Sequence, residues 1–153
     1  MTAIQLYRLA NRLHKRRVPV LPWVLEKVIL FAFRCVVPLK CDIGEGTELG
    51  YGGIAVVIHE RARIGKNVII SPCVTIGGRS QIFDVPVIED EVFIGAGAKI
   101  LGPVTIGKGA TIGANAVVLE SVPPGSVAVG VPARVVRSAE SLSGPSASHA
   151  RGI

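Results

Sequence analysis

The fold is decided by residues 92–118, which read VFIGAGAKILGPVTIGKGATIGANAVV. An isoleucine or valine recurs there at every sixth position, and a valine or alanine stands two places before each one. The same register extends back along the chain through Ile88, Ile82, Ile76, Ile70, Ile64 and Ile58. A period of six fits neither a helix nor an ordinary strand and is typical of a solenoid whose coil has three flat faces. We therefore predict an all-β solenoid, a left-handed parallel β-helix with three hexads in each coil.

Two interruptions break this pattern. The spacing from Leu49 to Ile58 is longer than the repeat allows, which predicts a bulge around residues 51–53. Between Ile76 and Ile88 the count is kept, but Phe83 and Asp84 stand where glycine or a small polar residue is usual. We interpret this segment as a loop inserted into one hexad, which would remove Ile82 from the core. Loops on a rigid scaffold commonly carry function.

The pattern divides the chain into three parts. Residues 1–40 are predicted to form a short helical N-terminal segment, with one amphipathic helix and a second running from Pro22 to about Val37. Residues 41–136 form the β-helix domain and its C-terminal cap. Residues 137–153, rich in serine, alanine and glycine, are expected to be a flexible tail.

Composition limits the function classes. The net charge is +6, with one basic cluster at residues 14–17, but few aromatic residues accompany the basic ones, which argues against a nucleic-acid-binding module. Three cysteines make no paired framework, which favours the cytoplasm. The apolar segment 18–38 is too short and too charged to span a membrane. Contact of these helices with a membrane surface remains an alternative to burial in an oligomer interface or against the solenoid end.

One histidine stands out as a candidate catalytic residue. His59 is the only histidine of the β-helix and occupies a coil corner at which the repeat usually has glycine. An imidazole there can act as a general base on a hydroxyl nucleophile, although a surface corner histidine without a catalytic role is the alternative. Gly77 lies one coil further on, so nothing bulky overhangs the ring.

A track of small residues is a candidate binding site for an extended ligand. Ala96 and Ala114 are one coil apart on the same edge, so backbone N–H and C=O groups are accessible beside them. Lys99, Lys108 and Arg134 supply positive charge suited to phosphate groups.

Three segments carry a family resemblance: VTIGG at 74–78, IGAGAKILG at 94–102 and GVPAR at 130–134. Together they resemble the bacterial hexapeptide-repeat acyltransferases, and within them the serine acetyltransferase branch, over roughly residues 41–137. The resemblance implies a homotrimer in which acetyl-CoA, as co-substrate and without a metal or other cofactor, lies between neighbouring solenoids. It implies that Gly78, Ala96 and Ala114 contact the pantetheine arm and that Lys108 and Arg134 contact the nucleotide end. In the reaction that we expect, backbone N–H groups near Gly77 and Gly78 stabilise the oxyanion.

The chain departs from that family at two positions. Tyr51 stands near the place of the family's catalytic histidine, and Val85 stands at a second family histidine. We therefore hypothesise that His59 has taken over as the base. Tyr51 and Asp84 are the candidate substrate-binding residues, and Asp84 is also the candidate for orienting the base.

The resulting function prediction is an acetyl-CoA-dependent O-acetyltransferase, most like serine O-acetyltransferase of cysteine biosynthesis. A saccharide or capsular polysaccharide acetyltransferase is the alternative, since the N-terminal segment is short and the family histidines are absent. A non-catalytic solenoid scaffold is a third candidate, whereas a zinc carbonic anhydrase needs three histidine ligands that the β-helix lacks. The C-terminal Ile153 resembles family members that insert such a terminus into a partner sulfhydrylase.

Overall fold

The computed structural model describes residues 2–138, in which two helices pack on a parallel β-solenoid. In chain order the elements are α1 (Ala3–Lys15), α2 (Leu21–Phe33), β1 (Asp42–Ile43), β2 (Glu48–Leu49), β3 (Val57–Ile58), β4 (Arg63–Ile64), β5 (Ile69–Ile70), β6 (Thr75–Gly77), β7 (Val87–Ile88), β8 (Phe93–Ile94), β9 (Lys99–Leu101), β10 (Thr105–Ile106), β11 (Thr111–Ile112), β12 (Val117–Val118), β13 (Val127–Gly130) and β14 (Ala133–Arg137). A 3-10 turn, Gly50–Gly53, follows β2.

The strands form the three faces of a prism. Face 1 contains β1, β4, β7 and β10; face 2 contains β2, β5, β8, β11, β13 and β14; and face 3 contains β3, β6, β9 and β12. The chain visits the faces in that order in each regular coil, and each strand from β1 to β9 pairs in parallel with the strand one coil further on. The predicted left-handed parallel β-helix is confirmed.

The interior of the prism is filled by the residues of the six-residue repeat. The isoleucines at every sixth position from Ile58 to Ile112 are fully or almost fully buried, with one exception. Ile82 keeps the count but is 41% exposed and lies outside the strands, as the loop interpretation predicts. The small residue two places before each isoleucine is also buried, so that large and small side chains alternate across the core.

The strand register confirms both interruptions. A regular coil pairs Val57 with Thr75, eighteen residues apart. Asp42 instead pairs with Arg63, three residues more, because the 3-10 turn is inserted after β2. Arg63 pairs with Val87, six residues more, because the loop is inserted after β6. Both insertions therefore project from the prism without disturbing its stacking.

The second helix ends earlier than predicted. It stops at Phe33 rather than near Val37, because Arg34 adopts a left-handed conformation with a φ of 54°. Val36 then forms a parallel bridge with Val57 on face 3. The chain has thus joined the solenoid before Pro38, which the sequence suggested as the stop.

The first helix covers the N-terminal end of the solenoid. The Tyr7 hydroxyl donates to the carbonyl oxygen of Cys41, and the Asn11 side chain donates to that of Leu39 at 2.7 Å. The Arg8 guanidinium donates to the carbonyl oxygens of Gly44 and Thr47, both at 3.3 Å. Polar groups of the first coil, which has no preceding coil to bond, are therefore satisfied by α1.

The seam between α1 and the first coil makes the fold sensitive to alkali. Burial raises the pKa of the Cys41 thiol to about 12, from an ordinary value of 9.0, because the thiolate would be desolvated. The unfolded chain therefore loses this proton first as the pH rises. The stability that depends on the neutral thiol is complete below pH 9.0 and is lost progressively toward pH 12.

Replacing Cys41 with serine should remove part of this dependence, since serine keeps a donor for the Pro38 carbonyl oxygen, which the thiol contacts at 3.0 Å. Between pH 8 and pH 10.5 we expect the wild type to lose about 2 kcal/mol more of its free energy of unfolding than Cys41→Ser. Urea unfolding at both pH values measures this difference. Cys73→Ser, which removes an exposed thiol, is the matched control, and equal losses in all three proteins would contradict the assignment.

The C-terminal end closes with an antiparallel pair. Strand β13 pairs with β11 in parallel and with β14 in antiparallel orientation. The predicted cap thus extends to Arg137 as the end of β14. Of the predicted tail, residues 139–153, with Ile153, lie outside the described residues. Between residues 2 and 138 the structure contains no helix of sufficient length and hydrophobicity to cross a membrane.

Candidate active site

Three corners connect the faces and carry most of the predicted site residues. The loop corner joins face 3 to face 1 and contains His59, Gly77, Gly78 and the inserted loop. The alanine corner joins face 2 to face 3 and contains Tyr51, Cys73, Ala96 and Ala114. The lysine corner joins face 1 to face 2 and contains Lys66 and Lys108.

At the loop corner, His59 lies directly beside Gly77 of the next coil. Its backbone N–H donates to the Ile76 carbonyl oxygen at 2.8 Å, which fixes the register predicted from the eighteen-residue spacing. The His59 side chain is half-buried, and a Cβ on Gly77 would contact Leu101 at 3.5 Å and Thr75 at 3.8 Å but no atom of His59. Within residues 2–138 the Gly78 N–H has no hydrogen-bond acceptor. A ring nitrogen and an unused backbone donor therefore stand together at one corner.

The imidazole of His59 is held by its own chain. The Arg61 backbone N–H donates to His59 Nδ1 at 3.2 Å. Since Nδ1 accepts this hydrogen bond, the neutral ring carries its proton on Nε2. To act as a base, the ring must release the Arg61 N–H and present an unprotonated nitrogen to the acceptor. Catalytic hydrogen bonds often form only in the substrate complex, so this geometry is compatible with the role.

The inserted loop folds over face 1 and encloses a cleft. The Arg61 guanidinium carbon lies 3.7 Å from the centroid of the Phe83 ring, a cation–π contact that holds the loop against the corner. The cleft has a volume of about 650 Å³ and is lined in part by Arg61, Arg63, Phe83 and Asp84. Within the described chain, Arg61 Nη1 is buried and lacks a hydrogen-bond partner. A bound acceptor group could satisfy it.

The cleft contains charges of both signs. Lys40 and Glu60 form an exposed ion pair at its rim, at 3.4 Å, and Asp42 and Asp84 add carboxylates. Asp84 was predicted to orient His59, but it lines this cleft on face 1. Across residues 2–138 no carboxylate hydrogen-bonds the imidazole, whose partner is the Arg61 N–H. The orienting role that we predicted for Asp84 therefore requires the loop to move.

The alanine corner is a narrow exposed track. The Asn115 N–H donates to the Ala96 carbonyl oxygen at 2.8 Å, which stacks Ala96 and Ala114 in register, and both residues are exposed. Glycine is required beside them, because a Cβ on Gly95 would lie 2.6 Å from the Ala114 nitrogen. Lys99 lies at the same corner, with its Nζ donating to the Cys73 carbonyl oxygen at 2.6 Å.

Tyr51 lies at the first coil of this corner. Its side chain is 87% exposed and its backbone is left-handed, with a φ of 50°. Tyr51 and His59 thus stand at the two ends of β3, on different corners. Within a single chain, Tyr51 and His59 therefore do not both contact one small substrate.

The predicted cations are not gathered around the alanine track. Lys108 lies on the lysine corner, where its Nζ forms an ion pair with Glu91 at 3.2 Å. Arg134, in β14, pairs with Glu120 at 3.7 Å. Of the three cations predicted beside the track, Lys99 is the one that contacts its corner. The sequence spacing already indicates that Lys108 is separated from the track, because Lys108 precedes Ala114 by one hexad and must lie one corner away.

Comparison with known proteins agrees with this architecture. Residues 86–120 match the family model described as bacterial transferase hexapeptide (six repeats). The chain is 39% identical over 136 residues to a serine acetyltransferase of Helicobacter pylori J99, covering 88% of this chain and 79% of that protein. The chain belongs to the serine acetyltransferase family.

Members of the serine acetyltransferase family with solved structures share the fold. A serine acetyltransferase in complex with CoA superimposes with a TM-score of 0.78 at 40% identity, and a soybean serine acetyltransferase complexed with serine with a TM-score of 0.81 at 41% identity. Each comparison covers 88% of this chain but only 55% and 56% of the solved chains, respectively. The serine acetyltransferase of Escherichia coli K12 is 39% identical over 141 residues, and the match spans 51% of its length. The chain thus spans about half the length of these family members.

Proposed function

We propose that this chain is an acetyl-CoA-dependent O-acetyltransferase that acetylates the hydroxyl of L-serine. The observation that carries the proposal is the 39% identity to the Helicobacter pylori serine acetyltransferase over 88% of this chain. Solved relatives complexed with CoA and with serine support the choice of both substrates. The side chains available at the loop corner suit this chemistry.

The proposed reaction is a direct transfer. His59 takes the proton of the acceptor hydroxyl, whose oxygen attacks the thioester carbonyl carbon. The negative charge that develops on the carbonyl oxygen is stabilised by the free Gly78 N–H. When the tetrahedral intermediate collapses, the carbon–sulfur bond breaks, and the imidazolium returns the proton to the CoA sulfur. The proton taken from the acceptor hydroxyl thus ends on the CoA thiol, and His59 returns to its neutral state.

The proposed site requires two copies of the chain. His59 and Gly78 lie at one end of face 3, whereas Ala96 and Ala114 lie at its other end. An extended acetyl-CoA can contact both sets if the alanine corner of one copy faces the loop corner of a neighbour. A closed ring of three copies provides this arrangement three times and is the assembly that we propose.

A saccharide acceptor is the second candidate, and the cleft beside the loop favours it. Its volume of about 650 Å³ exceeds what one serine fills, and its lining includes carboxylates, arginines and the exposed ring of Phe83. Carboxylates accept hydrogen bonds from hydroxyl groups, and an aromatic ring packs against the apolar side of a sugar.

Two further assignments complete the proposal. The cysteines of the described chain, Cys35, Cys41 and Cys73, are free thiols, which suits a reducing cytoplasm. O-acetylserine is the substrate of a sulfhydrylase in cysteine formation, and Ile153 is the candidate contact with such a partner.

The acceptor is decided by measuring CoA release from acetyl-CoA with L-serine, with a panel of sugars and with no acceptor. We expect turnover with serine well above the acceptor-free rate. Turnover with sugars alone would show that the acceptor is a saccharide and that the enzyme is still an O-acetyltransferase. No release with any acceptor, together with no binding of acetyl-CoA, would contradict the proposal and leave the scaffold function.

A further inference from the structure

The outer surface of α2 is apolar and open. It consists of seven exposed residues that share one side of the helix or flank its ends: Val20, Trp23, Val24, Lys27, Val28, Phe31 and Arg34. Trp23 is 64% exposed and Phe31 is 67% exposed, which is unusual for large side chains of a folded protein. Such a contiguous patch commonly marks an interaction surface.

The opposite side of α2 packs inward. Ile29 is fully buried, and Leu25 and Phe33 pack against the core. Glu26, the only acidic residue of this helix, is half-buried and lies on this inner side. The outer surface therefore combines apolar side chains with two cations, Lys27 and Arg34, and carries no acidic group.

The charge of the chain is concentrated around this surface. Residues 1–40 contain one acid, Glu26, and eight basic residues, namely Arg8, Arg12, Lys15, Arg16, Arg17, Lys27, Arg34 and Lys40. The remaining residues contain nine basic and ten acidic residues, so that the whole net charge of +6 arises from the N-terminal segment. Lys15, Arg16 and Arg17, in the turn that leads to α2, are exposed.

We propose that the outer surface of α2, together with the basic turn at residues 15–17, binds the surface of an anionic lipid bilayer. A helix with large apolar side chains on one side and flanking cations lies in the plane of the interface, with its apolar side among the acyl chains. Tryptophan is favoured at this depth, and each nearby cation is attracted to anionic headgroups. The thirteen residues of α2 are too few to span the bilayer.

Charge also argues against the same surface of a second copy, in a face-to-face dimer, as the occupant. Two such surfaces face to face would bring Lys27, Arg34 and the basic turn of each copy together without an acidic partner. Like charges at an interface oppose association, whereas an anionic headgroup layer complements them.

Vesicle flotation of the full chain tests the proposal, with vesicles of phosphatidylcholine alone and mixed with phosphatidylglycerol. Trp23 is the only tryptophan of the chain, so its fluorescence reports directly on this surface. We expect flotation and a blue shift of Trp23 emission with the anionic vesicles, and weak flotation without phosphatidylglycerol. No flotation with anionic vesicles would overturn the proposal.

Two variants separate the contributions. Lys27→Glu with Arg34→Glu should weaken partitioning onto anionic vesicles by about 25-fold or more, since each cation contributes about fivefold. Lys66→Glu with Arg137→Glu makes the same change of charge at exposed positions of the β-helix and should bind like the wild type. Equal losses in the two double variants would overturn the proposal.

Phe31→Ser tests the apolar contribution and the alternative occupant. We expect it to reduce flotation and the blue shift while leaving the mass in solution unchanged. If Trp23 emission is already blue-shifted without vesicles, and Phe31→Ser lowers the mass measured by light scattering, a second copy covers the surface and the membrane proposal is wrong.

Discussion

His59→Ala is expected to lower kcat by about two to four orders of magnitude, the usual contribution of a general base. The expectation follows from the position of the ring beside Gly77 and the unused Gly78 N–H, since removing the imidazole leaves the acceptor hydroxyl without a proton acceptor. Acetyl-CoA binding should change little, because the contacts proposed at the alanine corner of a neighbouring copy and at Gly78 are kept. Steady-state kinetics of CoA release, with acetyl-CoA affinity measured by calorimetry, separates the two effects.

Two further substitutions control this experiment. His14→Ala removes a histidine of α1 outside the β-helix and should leave kcat close to the wild-type value. Tyr51→Phe examines the residue that stands near the family's base. A loss of less than about tenfold in His59→Ala, combined with a large loss in Tyr51→Phe, would transfer the catalytic role to Tyr51.

Ile100→Ala should lower the free energy of unfolding by about 2–5 kcal/mol. Ile100 is completely buried in β9, between the coils of β6 and β12, where neighbouring strands on both sides limit collapse of the cavity. Two terms add up in this loss of stability: the burial free energy of the deleted methyl and methylene groups, and the cost of the cavity that they leave. Urea denaturation with a linear extrapolation measures the change.

The same substitution at Ile82 is the matched control. Ile82 keeps the six-residue count but is 41% exposed in the inserted loop, so Ile82→Ala should cost less than about 1 kcal/mol. Comparable costs at the two positions would mean that Ile82 contributes to the core and that the loop is assigned wrongly.

Sequence spacing was sufficient for the solenoid because packing in the prism repeats in every regular hexad. Each of these places one large aliphatic residue inside, so the period predicts the strands and their register, and departures from it predict both insertions. The end of α2 was predicted less well, since a proline at position 38 looks like a stop signal. The left-handed conformation of Arg34 and the bridge from Val36 depend on tertiary pairing, which local sequence does not contain.

The candidate site was predictable in its positions but not in its contacts. The eighteen-residue spacing correctly places His59 beside Gly77 and Ala96 beside Ala114. The hydrogen bond from the Arg61 N–H to the imidazole depends on a side-chain rotamer, and the stacking of Arg61 on Phe83 depends on the path of the loop. Neither follows from a repeat pattern, because loop residues do not obey it.

Both ends of the β-helix are covered. An open terminal coil would present unpaired N–H and C=O groups as a template on which another chain could add strands and extend into a fibre. Helix α1 occupies this position at the first coil, and β14 reverses direction beside β13 and presents Arg134 and Arg137 at the last edge of face 2. Both features oppose growth along the solenoid axis, which is compatible with the closed side-by-side ring that we propose.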